Sequence, residues 1–405
     1  MTTPAHRLST PELVGMVAAL MSLNALAIDV MLPAMGVIAE DLGVADANDQ
    51  QLVIVAYVIG FGLPQLVFGP LADRFGRRPT LAISLVGYTV AGFACMLAPS
   101  FELLLALRFV HGVFASGCRV IAVAVVRDLF AGRMMARLLS LVMTVFMLVP
   151  IIAPAIGQGI VLVASWPWCF GLLGVAGLVM MLWTAVRLPE TLPEDGRRPF
   201  GLRATLGAYA SVLRNRLTFG YMLGSGVVFG ALFAFLSASE QIFREVFGRG
   251  DDFVLWFAGI AIVLAIANFA NSRLVTRFGM RRLGHLALIA FTLLAATLYG
   301  LTEILGESFG LFYPLFTACF AFFGLIGANF NALAMEPLGR VAGTASAAYG
   351  FATTTLSALI GGLIGRAYDG TTGPLLLGFV VLGLGASLIV LVTERGRLLA
   401  GDAKA

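Results

Sequence analysis

Runs of apolar residues, each long enough for a membrane-crossing helix and separated by short polar segments, follow one another along nearly the whole chain. About 20 such residues cross roughly 30 Å of hydrocarbon at 1.5 Å per residue. The pattern predicts twelve transmembrane helices, near residues 13–33, 51–71, 79–98, 103–126, 138–163, 166–186, 217–239, 253–275, 284–304, 310–334, 344–367 and 374–393. The runs are apolar on all sides, so periodicity does not say which face of a helix meets protein and which meets lipid. The first run carries Asp29 late and has no small-residue cleavage site, so it reads as a retained helix rather than a signal peptide.

Composition agrees with this reading. Of 405 residues, 60% are hydrophobic and 12% charged, against roughly 25% charged in ordinary soluble domains. The formal charge of +4 does not point to nucleic acid, because the arginines form short clusters between apolar runs and the one lysine is Lys404. With the N-terminus cytoplasmic, all but five of the 26 basic residues fall on the cytoplasmic side. The exceptions are Arg244, Arg249 and Arg366 on the opposite face and Arg108 and Arg119 inside spans. The positive-inside rule therefore predicts cytoplasmic N- and C-termini and an even helix count. Cys95, Cys118, Cys169 and Cys319 lie within spans and read as small hydrophobes, with no disulfide and no metal site expected.

The longest polar stretch, 187–216, holds Pro189, Pro193, Pro199 and several arginines. It reads as a cytoplasmic linker between an N-terminal six-helix bundle, 1–186, and a C-terminal one, 217–405. An internal echo supports the division: Leu71-Ala72-Asp73-Arg74-Phe75-Gly76-Arg77-Arg78 returns as Leu274-Val275-Thr276-Arg277-Phe278-Gly279-Met280-Arg281, after the second helix of each half. Parallel repeats of this kind build one class of secondary transporter.

The loop Gly69-Pro-Leu-Ala-Asp-Arg-Phe-Gly-Arg-Arg-Pro79 closely resembles the motif between helices two and three of the major facilitator superfamily. Arg108-Phe-Val-His-Gly112 through Asp128 resembles the helix-four motif of its drug:proton antiporters. Val149 to Gly159 resembles their helix-five motif imperfectly, since Gln158 breaks the usual paired glycine. Asn329 to Pro337 with Ala342-Gly-Thr-Ala-Ser346 resembles the bicyclomycin and chloramphenicol-resistance branch. The resemblance implies an all-α membrane protein of twelve helices in two pseudo-symmetric six-helix bundles, the major facilitator fold. It further implies proton-coupled efflux of drug-like small molecules by alternating access, across the inner membrane of a bacterium. A monomer is expected, with protons and lipid as the other partners and no cofactor.

An aspartate at a span's centre costs roughly 2.5–3.5 kcal/mol on the insertion scale, so it needs a partner or water. Asp29 lies about 24 Å along the first helix and is the obvious proton carrier, a role the resemblance also implies; the alternative is a helix end in headgroup water. Arg108 matches its depth, and an Asp29–Arg108 interaction is expected, unless Arg108 bonds backbone carbonyls of helix one instead. Arg119 lies on the same face of helix four, nearer the cytoplasm, and either lines a cavity or snorkels to the interface. His111, one turn from Arg108, is a weaker proton-relay candidate.

Asn24, Tyr57 and Tyr349 are further candidates for cavity lining, with Phe229, Phe233, Trp256, Phe322 and Phe323 as aromatic walls or core. In the fifth span Pro150 and Pro154 can kink the helix, and Ala153 and Gly157 present a small face for a dry seam between the halves. A cytoplasmic gate is expected from Asp73, facing the start of helix eleven near Thr344, and Arg77, reaching Asp128. The second copy of the loop has Thr276 and Met280 instead, so the latch reads as one-sided. Export of a physiological metabolite, such as a sugar or amino acid, is the rival reading. Enzymatic chemistry is not expected, because His6, His111 and His285 form no cluster.

Overall fold

A computed structural model of the chain describes residues 8–130, 132–193 and 202–399, and these are helical with no strand among them. The helices are α1 (Thr10–Asp29), α2 (Met35–Asp41), α3 (Leu52–Gly62), α4 (Gln65–Phe75), α5 (Arg77–Met96), α6 (Phe101–Leu129), α7 (Gly132–Phe146) and α8 (Val149–Val163). They continue with α9 (Pro167–Arg187), α10 (Leu202–Arg214), α11 (Arg216–Gln241), α12 (Phe253–Phe278), α13 (Met280–Leu305), α14 (Phe309–Met335), α15 (Ala342–Arg366) and α16 (Gly373–Thr393). Eleven stretches among the described residues are long and apolar enough to cross a membrane. A twelfth is the pair formed by the second predicted span, bent by 41°. Pro64 lies at that bend, where it withholds an N–H and disfavours helix at Leu63.

Helix starts follow from local chemistry. Ser9 accepts from the Glu12 N–H at 3.3 Å to open α1, Ser100 does the same for Leu103 in α6, and the Asn215 side chain caps α11 through Leu217 and Thr218. The repeated loops share one turn. Gly76 (φ 100°, ψ 159°) ends α4 and opens α5, and Gly279 (φ 80°, ψ 158°) does the same for α12 and α13. Only glycine takes such a backbone without strain, so the echo in the sequence is also an echo in geometry.

The chain divides into two compact units, Met1–Val44 with Ala56–Thr205, and Ala45–Val55 with Leu206–Ala405. In the first, α1 packs against α6, α7, α8 and α9, while α5 packs along α6 and α9. In the second, α11 holds the same central place against α14, α15 and α16. The segment Ala45–Val55, which chain order places with the first bundle, joins the second unit through polar contacts. Asn48 donates to the carbonyl of Tyr368 (2.8 Å), Gln51 donates to the Gly365 carbonyl (2.9 Å) and the Gln241 side chain (3.1 Å), and Asp49 pairs with Arg366 (2.9 Å).

Large apolar side chains such as Val90 (61%) and Leu363 (73%) are exposed on the flanks, which suits contact with lipid rather than water. Of the predicted linker, residues 194–201 lie outside the described residues, and α10 occupies much of the rest.

Candidate functional site

The centre of the first unit is a broken helix. Pro33 has no N–H to offer the carbonyl of Asp29, so α1 stops there, passes through a 3-10 turn at Leu32–Ala34, and resumes as α2. The sequence reading had one uninterrupted span to residue 33. The break leaves Asp29 at the end of a half-helix, 4% exposed, with no hydrogen bond or ion pair to another described residue. Discontinuous helices of this kind are where secondary transporters place their ion and substrate groups.

Arg108 of α6 is fully buried, and it does not bond the Asp29 carboxylate. It donates to the carbonyl oxygen of Ala27 at 2.8 Å, the backbone tie to helix one that the sequence left open as the alternative to an Asp29–Arg108 interaction, direct or through water. The guanidinium also lies over the rings of Tyr57 (4.3 Å) and Phe170 (5.5 Å), with the Nδ1 of His111 at 3.3 Å. A guanidinium can only donate, so that nitrogen accepts and the His111 ring proton sits on Nε2. The ring is wedged against Tyr88, centroids 4.2 Å apart, and edge-on to Tyr57 at 5.5 Å. This enclosure gives His111 a packing role. Tyr88 donates to the Leu23 carbonyl at 3.0 Å, and Tyr57 donates to the Asn24 side chain at 3.1 Å. Three neighbouring side chains therefore fix one stretch of α1.

Below this layer, Tyr57 stacks on Phe61 (6.4 Å, 13°), and the guanidinium of Arg119 lies 5.6 Å from the Phe61 ring. Asn24, Tyr57 and Arg119 thus belong to one polar and aromatic wall. Gly157 of α8 packs directly on the Val30 carbonyl at the break in α1, within this same unit. Gly157 of the predicted small face thus serves a contact inside the first unit.

At the turn between α4 and α5, Arg77 holds Asp128 with two hydrogen bonds (2.7 and 3.3 Å) and Asp73 at 2.5 Å. Thr191 adds a third donor to Asp128 at 3.0 Å, and the Glu190 carboxylate accepts from the backbone N–H groups of Arg77 and Arg78, capping α5. The side chain of Thr344, the expected neighbour of Asp73, lies outside the described residues.

The second unit carries features that the sequence did not disclose. Arg281 pairs with Glu394 (3.2 Å) and Glu336 (3.1 Å), Tyr221 donates to Glu394 (2.6 Å) and meets His285 Nε2 (2.9 Å), and Leu399 N–H donates to His285 Nδ1 (3.2 Å). The second loop therefore has its own charge cluster, shifted one position from the Arg77 equivalent. Glu240, just past the predicted end of its span, is 9% exposed and pairs with Arg244 (2.8 Å) through a π-helical turn at Ile242–Val246. Tyr349 donates to Ser225 at 2.7 Å.

The aromatic candidates separate here. Phe323 packs into a core with Phe291, Phe320 and Phe379, while Trp256 sits at the start of α12 against Phe309 and Tyr313, its indole donating to Asp252. Phe229 and Phe233 are half-buried and lie against Gly327 and Gly361, and Phe322 is half-buried.

A broken first helix with a carboxylate at the break, among eleven or twelve helices apolar enough to span, defines a multi-pass membrane protein. The particular family follows from comparison: the chain belongs to the Major Facilitator Superfamily, whose model matches residues 17–362. It is 32% identical over 369 residues to an uncharacterized MFS-type transporter, YdgK, of Bacillus subtilis, covering 90% of each chain. It is 30% identical to a bicyclomycin resistance protein homolog of Haemophilus influenzae (86% of this chain, 87% of the relative) and 30% identical to a chloramphenicol resistance protein of Pseudomonas aeruginosa (89% and 87%). Among solved structures, a bacterial homolog of the human lysosomal transporter Spinster matches with a TM-score of 0.72 at 15% identity, over 100% of both chains.

Proposed function

We propose that the protein is a proton-coupled exporter of small, largely apolar compounds, working by alternating access. The observation that carries this reading is Asp29: a buried carboxylate at a helix break, without a hydrogen-bonding partner among the described residues. A charged group is costly at that depth, so the site favours a carboxylate that takes up a proton in one state and releases it to water in another. Arg108 acts as a positioning residue, holding the Ala27 carbonyl and so the turn that presents Asp29. In the first unit Asn24, half-buried and held by Tyr57, supplies a hydrogen-bonding group for cargo. The Arg77–Asp128–Asp73 cluster would hold the α4–α5 turn as part of a gate.

Relatives named for bicyclomycin and chloramphenicol resistance support antibiotics as cargo. The arginine distribution supports a bacterial inner membrane with both termini cytoplasmic. The test is uptake of a panel of antibiotics into inverted vesicles holding the protein, under an imposed proton gradient or an imposed sodium gradient. Accumulation driven by the proton gradient and absent with sodium alone is expected; accumulation with no gradient, or with sodium only, overturns the proposal.

A further inference from the structure

We propose that Arg119 is a specificity residue that binds an acidic group on the cargo, a carboxylate or similar oxyanion, so that acid-bearing amphiphiles are preferred over their neutral counterparts. This rests on reading the protein as an exporter, and it names a class of cargo that the reading left open.

Arg119 sits on a buried stripe of α6. At 100° per residue, positions 108, 112, 115, 119, 122 and 126 share one face. Arg108 and Ala122 there are 0% exposed, Ala115 and Val126 are 1%, and Gly112 is buried. The lipid side of the same helix carries Leu103, Phe109 and Val110, each exposed. Arg119 is half-buried on the closed, protein-facing stripe, so the surface it keeps opens into the interior of the unit and not into lipid. Ala115 and Ala122, one turn away on either side, are the short side chains that flank the guanidinium on this stripe.

The second observation is how the guanidinium is held. Its carbon lies 5.6 Å from the Phe61 ring, and no hydrogen bond or ion pair joins it to another described residue. Stacking on a ring engages the flat face of a guanidinium and leaves its in-plane N–H donors free. Those donors form a fork that matches two oxygens of a carboxylate, and a low-dielectric interior strengthens such a pair. The other arginines discussed in this unit find partners: Arg108 on Ala27, and Arg77 on Asp128 and Asp73.

The experiment measures binding of nalidixic acid and of its methyl ester to the purified full-length protein in nanodiscs at pH 7.5, by tryptophan quenching. The wild type is expected to bind the acid about tenfold more tightly than the ester. In Arg119→Gln the ratio of the two affinities should fall close to one, and Arg119→Lys should keep part of it. Monodisperse elution on size exclusion establishes that each variant is folded. Equal affinities in the wild type, no binding of either compound, or a ratio unchanged in Arg119→Gln overturns the proposal. Binding needs no gradient, so loss of gradient-driven transport strikes the exporter reading while the acid-to-ester ratio still decides this one.

Discussion

Arg108 bonds the carbonyl oxygen of Ala27 at 2.8 Å, two residues before Asp29, so a cation on one helix fixes the last turn of another where that turn breaks. Truncating Arg108 to leucine removes the donor and leaves a buried carbonyl unsatisfied, which costs about 1–3 kcal/mol. Arg108→Leu is expected to melt at lower temperature in detergent and to transport at least about tenfold more slowly. Arg108→Lys, which can donate but cannot stack flat on Tyr57, should recover part of the stability. Unchanged melting in the leucine variant would show that the tie to α1 carries no energy.

Gly157 touches the Val30 carbonyl with no room for a side chain. Gly157→Val is expected to force α8 off the break in α1, with a loss at the upper end of the roughly 1–3 kcal/mol typical of overpacking. Gly159, on the same helix, has open space where a Cβ would lie, and Gly159→Ala should be close to neutral. Comparing the two melting temperatures separates local crowding from a general cost of losing glycine in α8.

Arg77 and Asp128 share two charge-assisted bonds with side chains 8% and 14% exposed. Arg77→Gln and Asp128→Asn should each destabilise by about 1–3 kcal/mol, and the double variant by clearly less than their sum. Denaturant or thermal unfolding of the four proteins gives the coupling. Additive losses would mean that the two side chains do not cooperate.

In the second unit, Tyr221 donates to Glu394, which also holds Arg281. Tyr221→Phe removes that bond and the hydrogen bond with His285 Nε2 but leaves the Arg281 pair, so a loss of about 1–3 kcal/mol is expected. Glu394→Gln weakens both and should cost more. An equal or smaller loss for the glutamine variant would place the energy in Tyr221 alone.

Hydropathy and charge disclosed the spans because lipid imposes length and apolarity directly on sequence. The depth match of Asp29 and Arg108 was legible from helical rise, but the true acceptor was not. Sequence gives the depth of an arginine and not the choice between a carboxylate and a carbonyl at that depth. Pro33, with no N–H to offer, ends α1 at Asp29, and Arg108 donates to the Ala27 carbonyl two residues earlier. The charge cluster of the second unit was hidden for another reason. Arg281 sits one step off the Arg77 equivalent, and its partners Glu336 and Glu394 lie outside the repeated loop. Glu240 escaped because the span was ended at 239, one residue short, although the helix continues to Gln241 and on through the π turn. The aromatic residues were legible only as a class, since helices apolar on every side leave core and cavity indistinguishable.

Asp29 is the hinge of the functional account, and its isosteric change tests it most directly. Inverted vesicles carrying wild type or Asp29→Asn, matched for protein content, would be energised with a proton gradient and assayed for accumulation of the antibiotic the wild type carries. The account predicts that Asp29→Asn inserts and binds cargo but loses gradient-driven accumulation. Accumulation at the wild-type rate by that variant would contradict it.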